Sequence, residues 1–172
     1  MNDAAAPTPA EIERALVEAL PRLRRFARTL ARNVHDADDL VQLAVERALL
    51  RIDQWRPGTS LVNWLFGIVR HAWLDETRAR RRRLRVFTSD EGAETVADGS
   101  ARQPLDAIAL GAALARLPDD QRLAVALVLV EGLSYKEAAE VIEIPIGTLT
   151  SRLARARAAL AAELADAPPE AP

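Results

Sequence analysis

Between Leu61 and Trp73 the apolar residues Leu61, Trp64, Leu65, Ile68, Val69, Ala72 and Trp73 fall at offsets 0, 3, 4, 7, 8, 11 and 12. That spacing draws one continuous apolar stripe along an α-helix and does not fit a strand, whose side chains alternate faces with period two. A helix with a single apolar face has to bury it against other elements. The rest of the chain repeats the helical spacing, and only 7 Gly occur in 172 residues. The expected fold class is therefore all-α.

Breakers divide the pattern. A first helical segment covers roughly Ala10 to Asn33, with an interruption expected at Pro21, which has no N–H to give. A second helix is expected after Val34, capped by His35, Asp36 or Asp38, and running to about Ile52. The stretch Trp55-Arg56-Pro57-Gly58-Thr59-Ser60 holds a Pro-Gly turn signal, with Thr59 or Ser60 placed to cap the striped helix. That helix leads into Arg78–Arg85, where six of eight residues are Arg. Residues 86–104 are acidic and rich in small polar residues, too poor in apolar surface to order themselves, so they read as a linker. Helices follow at about 105–116, 119–131, 134–142 and 147–164, divided by Leu117-Pro118, Gly132 and Ile144-Pro145 and stopped by Pro168 and Pro169. The expected organisation is an N-terminal extension (1–15), a helical domain (16–88), a flexible acidic linker (89–104), a second helical domain (105–165) and a disordered tail (166–172).

Composition removes several functions. The absence of Cys excludes disulfides, thiolate metal sites and a cysteine nucleophile. The acidic start MNDAAAPTPAEIE lacks the pattern of an export signal, and the longest apolar run, Leu123–Val130, is too short to cross a bilayer. A cytoplasmic, soluble protein is expected. The net charge of −2 advertises neither nucleic acid nor membrane. The sum hides segregation, however: residues 67–85 carry seven Arg against Asp75 and Glu76, and residues 86–106 carry five acids against Arg102. A cationic helix beside an acidic tether fits a nucleic-acid binder restrained in its free form.

The run from Gly132 to Leu153 has helix-turn-helix spacing. Ser134 is placed to cap a first helix with Glu137 at the capping-box position. Ala138 and Ala139 keep that helix slim where another crosses it, and Pro145 enforces the turn. In the following helix Leu149, Leu153, Ala156 and Leu160 face inward. Thr148, Ser151, Arg152 and Arg155 lie at offsets 0, 3, 4 and 7, so hydroxyls and guanidiniums share the outer face. Such a face suits the major groove, where Arg meets guanine and hydroxyls meet phosphates or base edges.

Four motifs in order then carry a resemblance. Ala37-Asp38-Asp39-Leu40-Val41-Gln42, Trp55-Arg56-Pro57-Gly58-Thr59 with Trp64-Leu65-Phe66, Gly132-Leu133-Ser134-Tyr135, and Ile144-Pro145-Ile146-Gly147-Thr148 with Ser151-Arg152-Leu153 resemble bacterial extracytoplasmic-function sigma factors. With the Arg cluster and Glu137-Ala138-Ala139-Glu140-Val141, the chain is most similar to the general-stress-response subfamily of alphaproteobacteria. The resemblance spans about residues 16–164. It implies a promoter-specificity subunit, with region 2 in the first domain and region 4 in the second, that binds core RNA polymerase and promoter DNA without making or breaking a bond.

By the same resemblance, Asp38, Asp39, Leu40, Gln42 and Glu46 dock on polymerase. Trp55, Gly58, Thr59, Asn63, Arg70, His71, Arg78, Arg80, Arg81 and Arg82 handle the −10 element, with one base captured out of the stack and a cationic track for the opened strand. Thr148, Thr150, Ser151, Arg152 and Arg155 read the −35 element. Trp64 and Trp73, on the apolar stripe, are read as core, and Trp55 is open between core and stacking platform. His71 stands where the family often has Asn, Leu43 where a Glu is common, and Glu143 at a turn position often filled by Gly. A cytoplasmic anti-sigma factor is the implied inhibitor.

Three other functions compete. His35, Asp36, Asp38 and Asp39 have the residue types of a partial metal or acid–base site, but they straddle a helix start, where acids stabilise exposed amides. No catalytic residue, metal or cofactor is therefore expected. A helix-turn-helix repressor accounts for the second domain and leaves the Pro-Gly-Thr loop and Arg cluster without a role. A sigma-like decoy that sequesters an anti-sigma factor usually carries an attached receiver domain, for which 172 residues leave no room.

Overall fold

The computed structural model describes residues 8–31, 33–87 and 105–165, and every regular element among them is helical. The chain divides into two compact units at Val96/Ala97. The linker at 89–104, with the restraint expected of its acids, and the tail at 166–172 lie outside the described residues.

In the first unit α1 (Pro9–Leu30) opens with a complete capping box between Thr8 and Glu11. The helix therefore starts inside what the sequence marks as an extension. Pro21 does not interrupt it. Its ring is exposed, and the one intrahelical bond it forgoes would have gone to the carbonyl of solvent-facing Val17. Buried Leu16, Ala19, Leu23, Phe26, Ala27 and Leu30 hold the helix together across the break.

Helix α2 (Val34–Leu50) is capped by Asn33, whose side chain accepts the Asp36 N–H at 2.7 Å. His35, Asp36 and Asp38, the expected caps, sit inside the helix instead; Asn33 has the extended backbone a cap requires, and Asp36 is left to favour the helix dipole. After a short 3₁₀ turn (Ile52–Gln54), Gly58 turns the chain at φ +86, and the Ser60 hydroxyl accepts the Asn63 N–H at 3.2 Å to start α3 (Leu61–Phe87). Thr59 instead donates its hydroxyl to the Arg56 carbonyl at 2.7 Å.

All three helices pack on one another. Leu61, Leu65, Val69, Ala72 and Trp73 of the stripe are buried, while Trp64 and Ile68 are half-buried at its margin. Phe26 and Phe66 meet at 4.8 Å between ring centroids, and the Arg22 guanidinium lies 5.3 Å over Phe66, within cation–π range. Ion pairs join α2 to α3, among them Arg47 to Asp75 at 3.2 Å and Asp36 to Arg80 at 3.0 Å.

The second unit is built round its last helix. α4 (Leu105–Arg116), α5 (Asp119–Val125) and α6 (Tyr135–Ile142) all pack on α7 (Ile146–Ala165). α5 continues into a π-helical turn, Ala126–Val130, closed by the Glu131 N–H donating to the Ala126 carbonyl at 3.0 Å. Gly132 then reverses the chain at φ +72. Arg122 is 8% exposed, and its guanidinium donates to the carbonyls of Leu114 (3.0 Å), Ala115 (2.8 Å) and Leu117 (3.0 Å). It thereby closes the C-terminal end of α4, whose carbonyls lack helical donors. Arg116 and Glu163 form an ion pair between α4 and α7.

Candidate nucleic-acid interface

The helix-turn-helix forms as its spacing requires. Ser134 and Glu137 make both halves of the capping box at the start of α6, and Glu143 ends that helix in the left-handed region at φ 61 and ψ 46. The Ile144 N–H reaches back to the Ala139 carbonyl at 3.1 Å and the Glu143 N–H to the Glu140 carbonyl at 3.2 Å, a Schellman closure. Glycine takes this conformation without a Cβ penalty, which explains its use at such turns.

On α7, Leu149, Leu153 and Ala156 are buried, and Leu160 is half-buried. Thr150, Ser151 and Arg155 are exposed, whereas Thr148 and Arg152 are half-buried. The Thr150 hydroxyl donates to the Ile146 carbonyl and the Ser151 hydroxyl to the Thr148 carbonyl, each at 2.9 Å. Their protons are thus committed, and the oxygens remain as outward acceptors. Among the described residues Arg155 reaches its own helix alone, Nε donating to the Ser151 carbonyl at 3.3 Å. Arg152 differs, because its Nε lies 3.1 Å from Oδ2 of Asp120 on α5.

In the first unit the loop and helix residues separate into three environments. Gly58 and Thr59 are exposed, Asn63 and Arg70 half-buried, and His71 exposed one residue beyond Arg70. Trp55 is half-buried, its buried Nε1 meets no partner among the described residues, and it lines a groove of about 400 Å³ with Glu11, Ile12, Arg14, Ala15, Glu18 and Leu61. Further along α3, Arg78, Arg81 and Arg82 project from the helix. Arg80 turns back onto the fold: it is one-third exposed and held by Asp36 and, at 3.6 Å, Glu76.

The polar stripe on α2 is real but mixed. Asp38, Asp39, Gln42 and Glu46 are exposed, with Gln42 donating from Nε2 to Glu46 at 3.1 Å. Leu40 is only 7% exposed and supports this face from beneath. Leu43 (38%), Leu49 (56%) and Leu50 (83%) are the exposed apolar members of the same face. Sequence reasoning noted Leu43 only as a departure from a common Glu and missed Leu49 and Leu50; their spacing from Asp39 at offsets 4, 10 and 11 was the available signal. His35 and Asp39 approach at 3.7 Å while Asp36 turns to Arg80, and no group of three metal-capable side chains gathers among the described residues. No described helix is long and apolar enough to cross a membrane.

Residues 16–83 match the family model described as Sigma-70 region 2, and residues 107–160 the one described as Sigma-70, region 4. The helical bundle with its cationic third helix and the helix-turn-helix unit thus define a two-part promoter-recognition subunit of the sigma-70 type. The ECF RNA polymerase sigma factor EcfG of Rhodopseudomonas palustris is 39% identical over 149 residues, 87% of this chain and 82% of that protein. SigC, an ECF RNA polymerase sigma factor of Mycobacterium tuberculosis, is 40% identical over 148 residues, 85% of this chain and 77% of that one. The structure of the sigma factor RpoE in complex with the anti-sigma factor NepR from Bartonella quintana superposes with a TM-score of 0.80 at 32% identity, covering 91% of this chain and 98% of that one. The chain belongs to the ECF family of RNA polymerase sigma factors, and it acts as one: it binds core polymerase and directs it to promoters.

Proposed function

We propose that the −35 element is read by α7 through Thr148, Thr150, Ser151, Arg152 and Arg155, and that the −10 element is opened and held by the first unit. The observation that carries this is the capped helix-turn-helix with Ser151 and Arg155 exposed on the second helix, the placement major-groove reading needs. For the −10 element, Gly58 and Thr59 lie in the loop, Asn63 at the start of α3 and His71 further along that helix. The groove beside Trp55 is lined by Arg14 and Glu18, and a flipped base presents both acceptors and donors to such charged groups. Arg70, Arg78, Arg81 and Arg82 form the track for the opened strand; Arg80 serves chiefly to join α3 to α2.

The α2 face of Asp38, Asp39, Gln42 and Glu46, extended by Leu43, Leu49 and Leu50 and supported by Leu40, is the polymerase-docking surface. Its exposed Leu side chains favour a protein partner over solvent. The boundaries 16–88 and 105–165 delimit the two working domains. The subunit contributes binding and strand opening and no bond chemistry of its own, and it works in the cytoplasm beside the chromosome. An anti-sigma protein restrains it, a reading supported by the similarity to a sigma factor solved with NepR. Run-off transcription with purified core polymerase and a promoter library tests the assignment. A transcript that depends on this protein is expected; none from any promoter would overturn it.

A further inference from the structure

Arg152 has a partner that sequence spacing does not reveal. Its side chain is 22% exposed, and its Nε contacts Asp120, which stands in the first turn of α5 and is 45% exposed. The neighbouring acid cannot substitute, since Asp119 faces Arg122 at 3.8 Å. An arginine free in solvent samples many rotamers and attracts any phosphate within reach. Here one edge of the guanidinium is occupied through Nε, which fixes the plane and offsets the charge. The two terminal nitrogens meet no partner among the described residues. They form a fork matched to the paired acceptors O6 and N7 of guanine.

We infer that Asp120 is a positioning residue for promoter reading: it holds the Arg152 guanidinium so that this side chain discriminates one base pair instead of binding phosphates at large. The inference rests on the −35 assignment above and deepens it. It also makes the reading surface a product of two helices, α5 and α7, in place of the recognition helix alone.

The test uses full-length chains assembled with core polymerase and competed over promoters in which each −35 position is varied in turn. D120N and R152A are each expected to lower discrimination at one and the same base pair by about fivefold to a hundredfold, the range of one bidentate contact. The double variant should lose no more than R152A alone. Binding of D120N to unrelated DNA should stay equal or rise, because a negative charge beside the DNA is gone. If R152A relaxes one position and D120N relaxes none, the inference fails while the −35 assignment stands. If R152A changes no position, that assignment fails for Arg152 and the inference with it. A D120N loss spread evenly over all sequences, with a lowered melting temperature, would make Asp120 merely structural and overturn the inference.

Discussion

Replacing Arg122 by Met keeps most of the side-chain volume and removes the guanidinium that closes α4. The Leu114 carbonyl still accepts the Leu117 N–H at 3.2 Å, so it loses least. The carbonyls of Ala115 and Leu117 lose the donor that the structure gives them, and the bond to Leu117 is buried. Two stranded acceptors at about 1–3 kcal/mol each, partly relieved by water, set a cost of about 2–4 kcal/mol. A domain of this size is stable by roughly 3–9 kcal/mol, so the second unit should lose on the order of 10–25 °C in melting temperature. The assay separates the units without dissecting them. Trp55, Trp64 and Trp73 all lie in the first unit, so tryptophan fluorescence follows that unit alone, whereas far-ultraviolet circular dichroism follows both. The dichroism transition of Arg122→Met should move and the fluorescence transition should stay. A cost below about 1 kcal/mol would show that solvent already satisfies these carbonyls and would refute the reasoning.

Three further outcomes follow from particular contacts. Glu143→Gly removes a Cβ from the left-handed region at the cost of a more flexible unfolded chain, and should stabilise the second unit by roughly 0.5–1 kcal/mol in denaturant titration; destabilisation would contradict the strain at φ 61. The Thr8 backbone N–H, and then its hydroxyl, hold the Glu11 carboxyl below its ordinary range. The folded-state pKa is depressed, so the cap is complete above the ordinary carboxylate range and is lost as pH falls through the lowered value; side-chain NMR titration with Thr8 amide exchange should show both, and a Glu11 titrating at the ordinary value would contradict the box. In strand-binding assays of holoenzyme, Arg82→Ala should flatten the log–log salt slope by about 0.7–0.9, one phosphate contact, and Arg80→Ala by less, because Asp36 and Glu76 already oppose its charge; equal changes would place Arg80 on the track.

Periodicity carried the fold a long way, because the apolar stripe of α3 and the Ser134–Leu153 pattern depend on neighbours close in sequence. The departures come where neighbours are distant. Pro21 reads as a break until Leu23, Phe26 and Phe66 are seen to pack across it. Arg80 and Arg152 read as free cations because their acids, 44 and 32 positions away, become neighbours only on folding. Leu40 reads as part of a surface motif, yet α2 turns it inward beside Val41 and Ala44. Asn33 is as good a cap by residue type as Asp36 or Asp38, and it is the cap because its backbone is extended there, which composition does not set.

The π turn after α5 has a consequence for phase. The wide turn that ends with the Glu131 N–H on the Ala126 carbonyl holds an extra residue in the helix, and each added residue advances the chain by about 100° about its axis. Deleting a single residue within Ala126–Val130 should restore ordinary bonding and leave the local helix intact while swinging Gly132 and everything beyond it. Because α4, α5 and α6 all pack on α7, the damage would then appear as lost packing within the second unit, read as a lowered melting temperature of that unit. A transplanted helix-turn-helix therefore has to bring this turn with it, since the five residues act as the dial that sets its heading.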